Sequence, residues 1–234
     1  MLFLSALLVL KAEFRRKGIA TDLAESLITG AMIGGLVGAK LYFVFFETPS
    51  DYSWRQTLDV LFSGSGVTFY GGFVFAAVTA IVIIRRRKAP LAIVADALGL
   101  ALALGYAIGR IGCQLAGDGD YGKPTDLPWA MSYPDGVVPT LEKVHPAPVY
   151  ETLIGLGTFG FLWLLRKYIA MPGLLFSLYL VLANSARFAV EFVRINPPVI
   201  GTLTAAQLIS LVLVVSGAGI GCSLARRTET NPHG

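Results

Sequence analysis

The amino-acid sequence predicts an all-α integral membrane protein with about seven transmembrane helices, the first of them short. Of its 234 residues, 55% are hydrophobic and only 15% are charged, and the mean hydropathy is +0.67. Apolar runs long enough to cross a bilayer recur along the chain, which is typical of polytopic membrane proteins. We expect one membrane domain over residues 1–234, with the longest connection, residues 110–146, forming a cap on the extracytoplasmic face.

The first apolar run, Met1 to Leu10, is shorter than the others. Ten residues span about 15 Å as a helix, roughly half of the hydrocarbon thickness. Charged residues follow it instead of a small-residue cleavage site, which favours a shortened first span over a signal peptide. Longer apolar runs follow at 23–46, 66–84, 91–109, 147–165, 171–190 and 199–224.

The placement of basic residues predicts the orientation in the membrane. Basic clusters follow every second run, at 11–17, 85–88, 166–167 and 226–227. Such clusters stay on the cytoplasmic side, so we expect the N-terminus outside and the C-terminus in the cytoplasm. The pI of about 9.1 reflects these clusters and does not indicate nucleic-acid binding. Cys113 and Cys222 lie far apart at opposite predicted faces, which indicates neither a disulfide framework nor a metal site.

The segment Gly109-Arg110-Ile111-Gly112-Cys113 places an arginine at the end of a long apolar run, between glycines that allow close approach. A guanidinium group at membrane depth is costly, so it pairs with an acid or binds an anion. An anionic lipid headgroup is therefore the first ligand to consider.

A second charged segment contains Arg187, Glu191 and Arg194 at positions i, i+4 and i+7. On a helix this spacing predicts one continuous stripe. One interpretation is an ion-pair ladder that joins two helices. In the other, Glu191 orients Arg187 to bind a phosphate through both guanidinium nitrogens. Arg110, at the same predicted depth, favours the second interpretation, because one carboxylate cannot neutralise three guanidinium groups.

Glycines in the first half of the chain suggest close contacts. One run contains small residues at helical spacing, Gly30, Gly34, Gly35 and Gly38, which predicts tight helix packing. Gly71 and Gly72 follow Tyr70 and would weaken a helix, which indicates either close approach of a ligand or an interrupted helix. Tyr70 by itself is also typical of a residue at the membrane interface.

His145 is the only histidine outside the C-terminal tail, and it precedes Pro146 at the start of an apolar run. A lone histidine before proline is commonly a turn residue with a satisfied hydrogen bond. At the outer boundary of the membrane it is also a candidate general base.

These residues together resemble the prolipoprotein diacylglyceryl transferase family. The matching blocks, in family order, are Gly38-Ala39-Lys40-Leu41, Phe69-Tyr70-Gly71-Gly72, Gly109 to Cys113, Tyr121 to Trp129, His145 to Glu151, Arg187 to Arg194, and Gln207. The two arginine-containing blocks, together with the Gly122-to-Trp129 loop, make the resemblance specific. The chain departs from the family at Lys40, usually an arginine, and at Cys113, an asparagine in many members.

The resemblance implies a cofactor-independent enzyme of the bacterial inner membrane whose partners are phosphatidylglycerol, preprolipoprotein signal peptides and membrane lipid. Such an enzyme transfers the diacylglyceryl group to the lipobox cysteine thiol, forms a thioether and releases glycerol-1-phosphate. Arg110 and Arg187 would hold the phosphate, and Glu191 would orient Arg187. Tyr70 and His145 are the candidates for handling the thiol proton. The residues implied in substrate binding are Lys40, Gly71, Gly72, Gly112, Gly117, Arg194 and Gln207.

Two alternatives come from another functional class. A catalytically degenerate paralogue would keep an anionic phospholipid in the outer half of the membrane without reacting it. A small lipid transporter would show duplicated halves with broken helices at matching positions, and the sequence contains no such repeat.

Overall fold

The computed structural model describes residues 1–47, 55, 59 and 68–230. Within these residues it is mainly helical. The helices are α1 (Leu2–Lys17), α2 (Asp22–Tyr42), α3 (Phe69–Arg86), α4 (Leu91–Ala116), α5 (Ala147–Leu165), α6 (Leu174–Val190) and α7 (Ala205–Thr230). The chain divides into two compact units, one of Met1–Leu10 with Ala95–Gly234 and the other of Lys11–Val94.

Four stretches among the described residues are long and apolar enough to cross a membrane: Asp22–Glu47, Leu91–Ala116, Ala147–Leu165 and Ala205–Arg226. The first of them joins α2 to a five-residue π-helical turn, Phe43–Glu47. Helix α6 is a shorter apolar helix. The prediction of a mainly helical, multi-pass membrane protein is thus confirmed.

The first helix differs from the predicted short span. Helix α1 continues beyond Leu10 to Lys17, because no helix-breaking residue occurs before Gly18. Gly18 has a φ of +68°, a left-handed conformation that glycine adopts readily, and the helix ends there.

The last predicted span also begins later than expected. Residues 199–204 form most of a small antiparallel hairpin of β3 (Pro198–Ile200) and β4 (Leu203–Thr204) rather than helix. Proline lacks the amide hydrogen that a helix needs, and Gly201 turns the chain with a φ of +59°. Helix α7 therefore begins at Ala205.

The predicted helical stripe of Arg187, Glu191 and Arg194 is wrong for its last member. Helix α6 ends at Val190, with Glu191 as its C-cap. Arg194 instead forms an isolated antiparallel bridge with Gly122. Pro197 and Pro198 keep the helix from resuming beyond this end, because the residue before a proline disfavours the helical conformation.

The connection between α4 and α5 begins at Gly117 rather than at residue 110. Nothing stops α4 until Gly117, where a φ of +57° and an N–H bond to the Cys113 carbonyl (3.0 Å) close the helix. The connection contains an antiparallel hairpin of β1 (Met131–Tyr133) and β2 (Thr140–Val144).

In the larger unit, polar contacts and small residues join the helices. The Asp96 carboxylate of α4 accepts hydrogen bonds from the N–H groups of Gly173 and Phe176, both at 2.8 Å, and so caps the start of α6. The Ser177 hydroxyl of α6 donates to the Gly217 carbonyl of α7 (2.6 Å). These contacts fix α6 between its neighbours and position its charged C-terminal end.

In the smaller unit, α2 and α3 pack through glycine. A Cβ on Gly38 would collide with the Phe75 side chain and the Gly71 carbonyl, and a Cβ on Gly72 would lie 3.1 Å from the Gly35 carbonyl oxygen. The prediction of glycine-mediated packing is confirmed. Helix α3 continues through Gly71 and Gly72, so the alternative of an interrupted helix is wrong.

Candidate active site

Glu151, in the first turns of α5, lies at the centre of a cluster of charged residues. Its buried carboxylate contacts three arginines: Arg110 Nε at 3.1 Å, Arg187 Nη1 at 2.7 Å and Arg194 Nη1 at 3.3 Å. The Tyr106 hydroxyl donates a further hydrogen bond of 2.6 Å. One carboxylate thus joins α4, α5, α6 and the segment after α6.

Glu191 is the second buried carboxylate, and it holds Arg187 from the other side. Its Oε2 lies 2.9 Å from Arg187 Nη2, so the predicted i, i+4 pair is confirmed. The Asn196 amide (2.5 Å) and the Thr204 hydroxyl (2.9 Å) donate to its other oxygen. Arg187 therefore spans two fixed carboxylates, with one guanidinium nitrogen on Glu151 and the other on Glu191.

The hydroxyl of Thr204 is itself held by the first turn of α7. The Thr204 N–H donates to Gln207 Oε1 (3.0 Å), and the Gln207 N–H donates to Thr204 Oγ1 (3.3 Å). This reciprocal pair is a capping box, formed by a threonine and a glutamine three residues apart. Gln207, an expected substrate ligand, is thus buried. It holds Thr204, whose hydroxyl in turn bonds Glu191.

Asp120 is the third carboxylate, and it bridges two of the arginines. One oxygen bonds Arg110 Nη1, the other bonds Arg194 Nη2, and the Asp120 carbonyl accepts a 3.1 Å bond from Arg194. Burial raises the pKa of the Asp120 carboxyl. The hydrogen bonds and positive charges of Arg194 and Arg110 outweigh that effect, so the pKa lies below its ordinary value.

The charges of this cluster balance. Among the described residues it contains three arginines and three carboxylates, so the expectation that one carboxylate faces three guanidinium groups is wrong. Asp120 and Glu151 supply the missing charges. Arg194 Nε lies 3.9 Å from Glu191 Oε2, too far for a hydrogen bond.

The segment that carries Asp120 is anchored just beyond it. The Gly122 N–H donates to the His145 carbonyl (2.8 Å), and the Lys123 N–H donates to the Val193 carbonyl (2.7 Å). A Cβ at residue 122 would collide with Val193 and His145, so only glycine allows this approach. The Tyr121-to-Trp129 loop is thereby fixed between the start of α5 and the end of α6.

His145 takes part in a chain of aromatic hydrogen bonds. The Trp129 indole donates to Tyr150 Oη (2.8 Å), which lies 3.2 Å from His145 Nδ1. The Tyr150 oxygen accepts from the Trp129 indole, and it either donates to His145 Nδ1 or accepts from it, according to the tautomer of the imidazole. This geometry fits the turn-residue interpretation of His145, whose Nδ1 has a hydrogen-bond partner.

Cys113, Asp118 and Asp120 have ligand atoms within 4.8 Å of one another. Two guanidinium groups already contact Asp120 and would repel a cation at this position. We therefore assign no metal site to these residues.

The remaining expected ligands are divided between the two compact units. A Cβ on Gly112 would meet open space, whereas Gly117 packs against Gly136 where the connection begins. Lys40, Gly71 and Gly72 belong to the smaller unit, as does the backbone of Tyr70, whose side chain lies outside the described atoms. The structure thus joins Arg110, Arg187, Glu191 and Arg194 in one cluster.

Sequence reasoning missed Tyr106, Asp120 and Glu151 as members of the site. Glu151 had a usable signal, because an acidic residue inside an apolar run is usually functional or paired. Asp120 stands in a connection with other acidic residues, so its sequence position does not distinguish it.

Comparison with known proteins agrees with the sequence resemblance. A family model described as prolipoprotein diacylglyceryl transferase matches residues 1–222. Similar proteins named phosphatidylglycerol–prolipoprotein diacylglyceryl transferase occur in several bacteria. That of Leptospira interrogans is 34% identical over 221 residues, 84% of this chain and 70% of that protein. That of Finegoldia magna is 33% identical, over 87% of this chain and 79% of that protein. That of Clostridioides difficile is 30% identical, over 98% of this chain and 89% of that protein.

Proposed function

Because the chain belongs to the prolipoprotein diacylglyceryl transferase family, we propose that it transfers the diacylglyceryl group of phosphatidylglycerol to the cysteine thiol of a prolipoprotein. The observation that carries this proposal at the level of residues is the convergence of Arg110, Arg187 and Arg194. Arg110 and Arg187 remain 17% and 22% exposed while bonded to buried carboxylates, so each keeps a surface for a ligand.

The chemistry explains why arginines are needed. The cysteine sulfur attacks the glyceryl carbon that carries the phosphate ester, and a carbon–sulfur bond forms as the carbon–oxygen bond breaks. The electron pair leaves with the phosphate, and glycerol-1-phosphate is released. Fixed cations at the departing phosphate stabilise the developing charge, and they act more strongly away from water. The thiol must first lose its proton, because the thiolate is the nucleophile.

In this proposal Arg110 and Arg187 hold the phosphate, and two carboxylates orient Arg187. Glu151 and Glu191 each fix one nitrogen of the Arg187 guanidinium group, so its plane is set before a ligand arrives. A planar fork held in this way can bind two phosphate oxygens through its outer edge. The other substrate contacts we propose are Lys40, Gly71, Gly72, Gly112, Gly117, Arg194 and Gln207.

Tyr70 and His145 remain the two candidates for accepting the thiol proton. A tyrosine needs a neighbouring cation to act as a base. His145 would accept the proton through whichever ring nitrogen is unprotonated in its neutral form, and Nδ1 lies 3.2 Å from the Tyr150 hydroxyl. Transfer assays of Tyr70→Phe and His145→Phe distinguish them, because the base is the residue whose loss abolishes transfer at neutral pH but leaves lipid binding intact.

We further propose seven crossings of the bacterial inner membrane, with residues 117–146 as the extracytoplasmic cap, the N-terminus outside and the C-terminus in the cytoplasm. The clusters of basic residues support this arrangement. Because Cys113 lies at the proposed outer face, the test replaces it with serine, and the cysteine of Arg86→Cys in that background should be shielded from a membrane-impermeant thiol reagent in intact cells. Labelling from outside would overturn the orientation.

The phosphate-binding role of Arg187 is tested by separating its charge from its geometry. Arg187→Lys keeps the charge but loses the planar fork, and should slow transfer roughly a hundredfold, equivalent to about 3 kcal/mol of transition-state stabilisation. Glu191→Gln should be milder, because Arg187 then keeps its planar fork and its ion pair with Glu151. The assay follows labelled phosphatidylglycerol onto a lipobox peptide in detergent, with Glu142→Gln, an exposed residue of the cap, as the control.

An ion-pair ladder predicts the reverse order. Lysine would then be tolerated at residue 187, whereas Glu191→Gln would leave clustered cations uncompensated and would reduce the extracted yield. A well-expressed, fully active Arg187→Lys protein would end the phosphate-binding proposal for this residue. Wild-type protein that transfers no label to any lipobox peptide would end the proposed activity itself.

A further inference from the structure

Asp120 differs from the other two carboxylates of the cluster in its exposure and its neighbours. Its side chain is 31% exposed, whereas those of Glu151 and Glu191 are 1% and 0% exposed. It contacts the outer nitrogens of Arg110 and Arg194, one with each oxygen. Glu151 and Glu191 are therefore built into the fold, and Asp120 is the carboxylate that solvent or lipid can reach.

The backbone around Asp120 is suited to local movement. Gly117 and Gly119 both have positive φ angles, +57° and +91°, in a conformation that glycine adopts at little cost. The cross-chain backbone bonds on the far side begin at Gly122, and the Asp120 N–H bonds only its near neighbour Asp118 (3.3 Å) among the described residues. Asp120 thus lies on a short segment between Gly117, which ends α4, and Gly122, which is bonded to the His145 carbonyl.

Arg194 keeps a donor that no residue of the described chain uses. Its side chain is 8% exposed, and its buried Nε has no hydrogen-bond partner among the described residues. This nitrogen lies 3.9 Å from Glu191 Oε2, so it faces the buried carboxylate and Asp120 does not use it. The guanidinium group is therefore only partly satisfied by Asp120.

We infer that Arg194 joins Arg110 and Arg187 in binding the phosphodiester of the lipid substrate, and that Asp120 occupies Arg110 and Arg194 as an internal ligand until the phosphodiester displaces it. The inference rests on the proposed function, which supplies phosphatidylglycerol. A phosphodiester carries one negative charge, as does the aspartate, so the exchange keeps three cations against three anions. An incoming lipid would thus meet a site that is neutral before and after binding, which avoids an uncompensated buried charge.

The same exchange would assist release of the product. Glycerol-1-phosphate is a phosphomonoester whose second proton dissociates near pH 6, so at neutral pH it carries more than one negative charge. It therefore does not match the single charge of Asp120, and the return of the aspartate to Arg110 and Arg194 restores the neutral cluster. Asp120 acts here through competition for the arginines, not through contact with the reacting atoms.

The alternative is that Asp120 is a structural brace between α4 and the segment after α6. A brace and an internal ligand predict opposite effects of its removal. Loss of a brace loosens the arginines and weakens lipid binding. Loss of an internal competitor leaves the arginines free and strengthens it.

The test compares Asp120→Asn with Asp118→Asn, which removes the same charge two residues away and keeps an oxygen for the Asp120 N–H. Full-length proteins in phosphatidylcholine nanodiscs are titrated with labelled phosphatidylglycerol and, separately, with inorganic phosphate. We expect Asp120→Asn to bind phosphatidylglycerol about tenfold more tightly than wild type, and Asp118→Asn to match wild type. Glycerol-1-phosphate should also inhibit Asp120→Asn at lower concentration, with a reduced kcat from slower product release.

Unchanged or weaker phosphatidylglycerol binding by folded Asp120→Asn protein overturns the inference, and so does tightening confined to inorganic phosphate. A second measurement uses the wild-type chain, in case the variant fails to fold. Hydrogen exchange at residues 118–121 should be faster in nanodiscs that contain phosphatidylglycerol than in pure phosphatidylcholine, because displaced Asp120 frees its segment. Equal exchange rates overturn the inference.

The phosphatidylglycerol titration and the hydrogen-exchange measurement report binding, so they are independent of transfer. Wild-type protein that binds phosphatidylglycerol and shows the exchange, but lipidates no peptide, contradicts the proposed function alone. Active wild-type protein whose Asp120→Asn variant binds no more tightly contradicts the internal-ligand role alone.

Discussion

The arginine–carboxylate cluster and the glycine contact between α2 and α3 join helices by opposite means. In the cluster, long side chains from α4, α6 and the segment after α6 meet on Glu151 of α5. In the glycine contact, the Gly38 and Gly71 backbones lie so close that a single added Cβ collides. The first contact depends on charge balance, and the second depends on the absence of side chains.

This difference decides which chemistry each region can support. Hydrocarbon solvates the surface of a helix about as well as another helix does, so the glycine contact gains its stability from dispersion and close approach. Charges at membrane depth are stable only when paired, and partial exposure of a balanced set leaves room for exchange with a ligand. The balanced cluster is therefore the region suited to an anionic substrate, and the glycine contact is suited to fixing two helices.

Glu151→Gln should have the largest effect. The substitution keeps the shape but leaves three arginines with two carboxylates, and removing one partner of a buried ion pair costs roughly 3–5 kcal/mol. We expect lower extracted yield, a lower thermal unfolding midpoint and at least a hundredfold loss of transfer. The control is Glu142→Gln, which removes the same charge from the exposed cap. An unchanged unfolding midpoint in Glu151→Gln would show that the cluster does not depend on charge balance.

Gly38→Ala tests the other region and should have an intermediate effect. The new Cβ would overlap Phe75 and the Gly71 carbonyl, and overpacking of this kind costs about 1–3 kcal/mol. The matched control is Gly157→Ala on α5, where the Cβ meets open space and alanine should be neutral or stabilising by about 0.5–1 kcal/mol. Equal unfolding midpoints for the two variants would contradict close backbone approach between α2 and α3.

The smallest expected effect is a pH dependence that only the cluster should show. The folded-state pKa of Asp120 lies below its ordinary value because of Arg194 and Arg110. Its stabilising contribution is therefore complete above the unfolded value of about 4 and is lost as the pH falls through the lowered folded value.

As the pH is lowered from 6, the thermal unfolding midpoint should accordingly fall more steeply in wild type and Asp118→Asn than in Asp120→Asn. The destabilisation caused by Gly38→Ala should not change over this acidic range, because the groups that the new Cβ would meet, Phe75 and the Gly71 carbonyl, do not titrate. If the unfolding midpoints of wild type and Asp120→Asn changed identically with pH, the ion pairs of Asp120 with Arg110 and Arg194 would not stabilise the fold.

Much of the helical architecture was predictable from the sequence. Apolar runs predicted α2, α3 and α5 closely, because lipid-facing and buried positions are both apolar in a membrane protein and the run length follows the helix. The errors fall at helix ends. Arg194 leaves the predicted stripe to pair with Gly122, a contact between distant parts of the chain, and residues 199–204 form a hairpin because Pro198 and Gly201 act on the backbone where hydropathy remains high.

The site was predictable only in part. Arg110, Arg187 and Glu191 stood out because charged residues are rare in apolar runs, and the structure brings them together. The role of Asp120 was not visible, because its carboxylate reaches Arg194, 74 residues away along the chain, only after the connection folds back along the end of α6. Gln207 was selected by resemblance, whereas its placement behind Glu191 depends on the capping box of α7.

The sequence by itself determined the class of the protein, the positions of its helices and the residue types available for an anionic lipid. Composition and spacing are sufficient for these because each depends on contacts with lipid or on neighbours within one helix. The tertiary structure decided which carboxylate faces which arginine, and so the charge balance of the site. That pairing depends on distances between α4, α5, α6 and the cap, and on the burial that leaves Asp120 more accessible than Glu151 and Glu191.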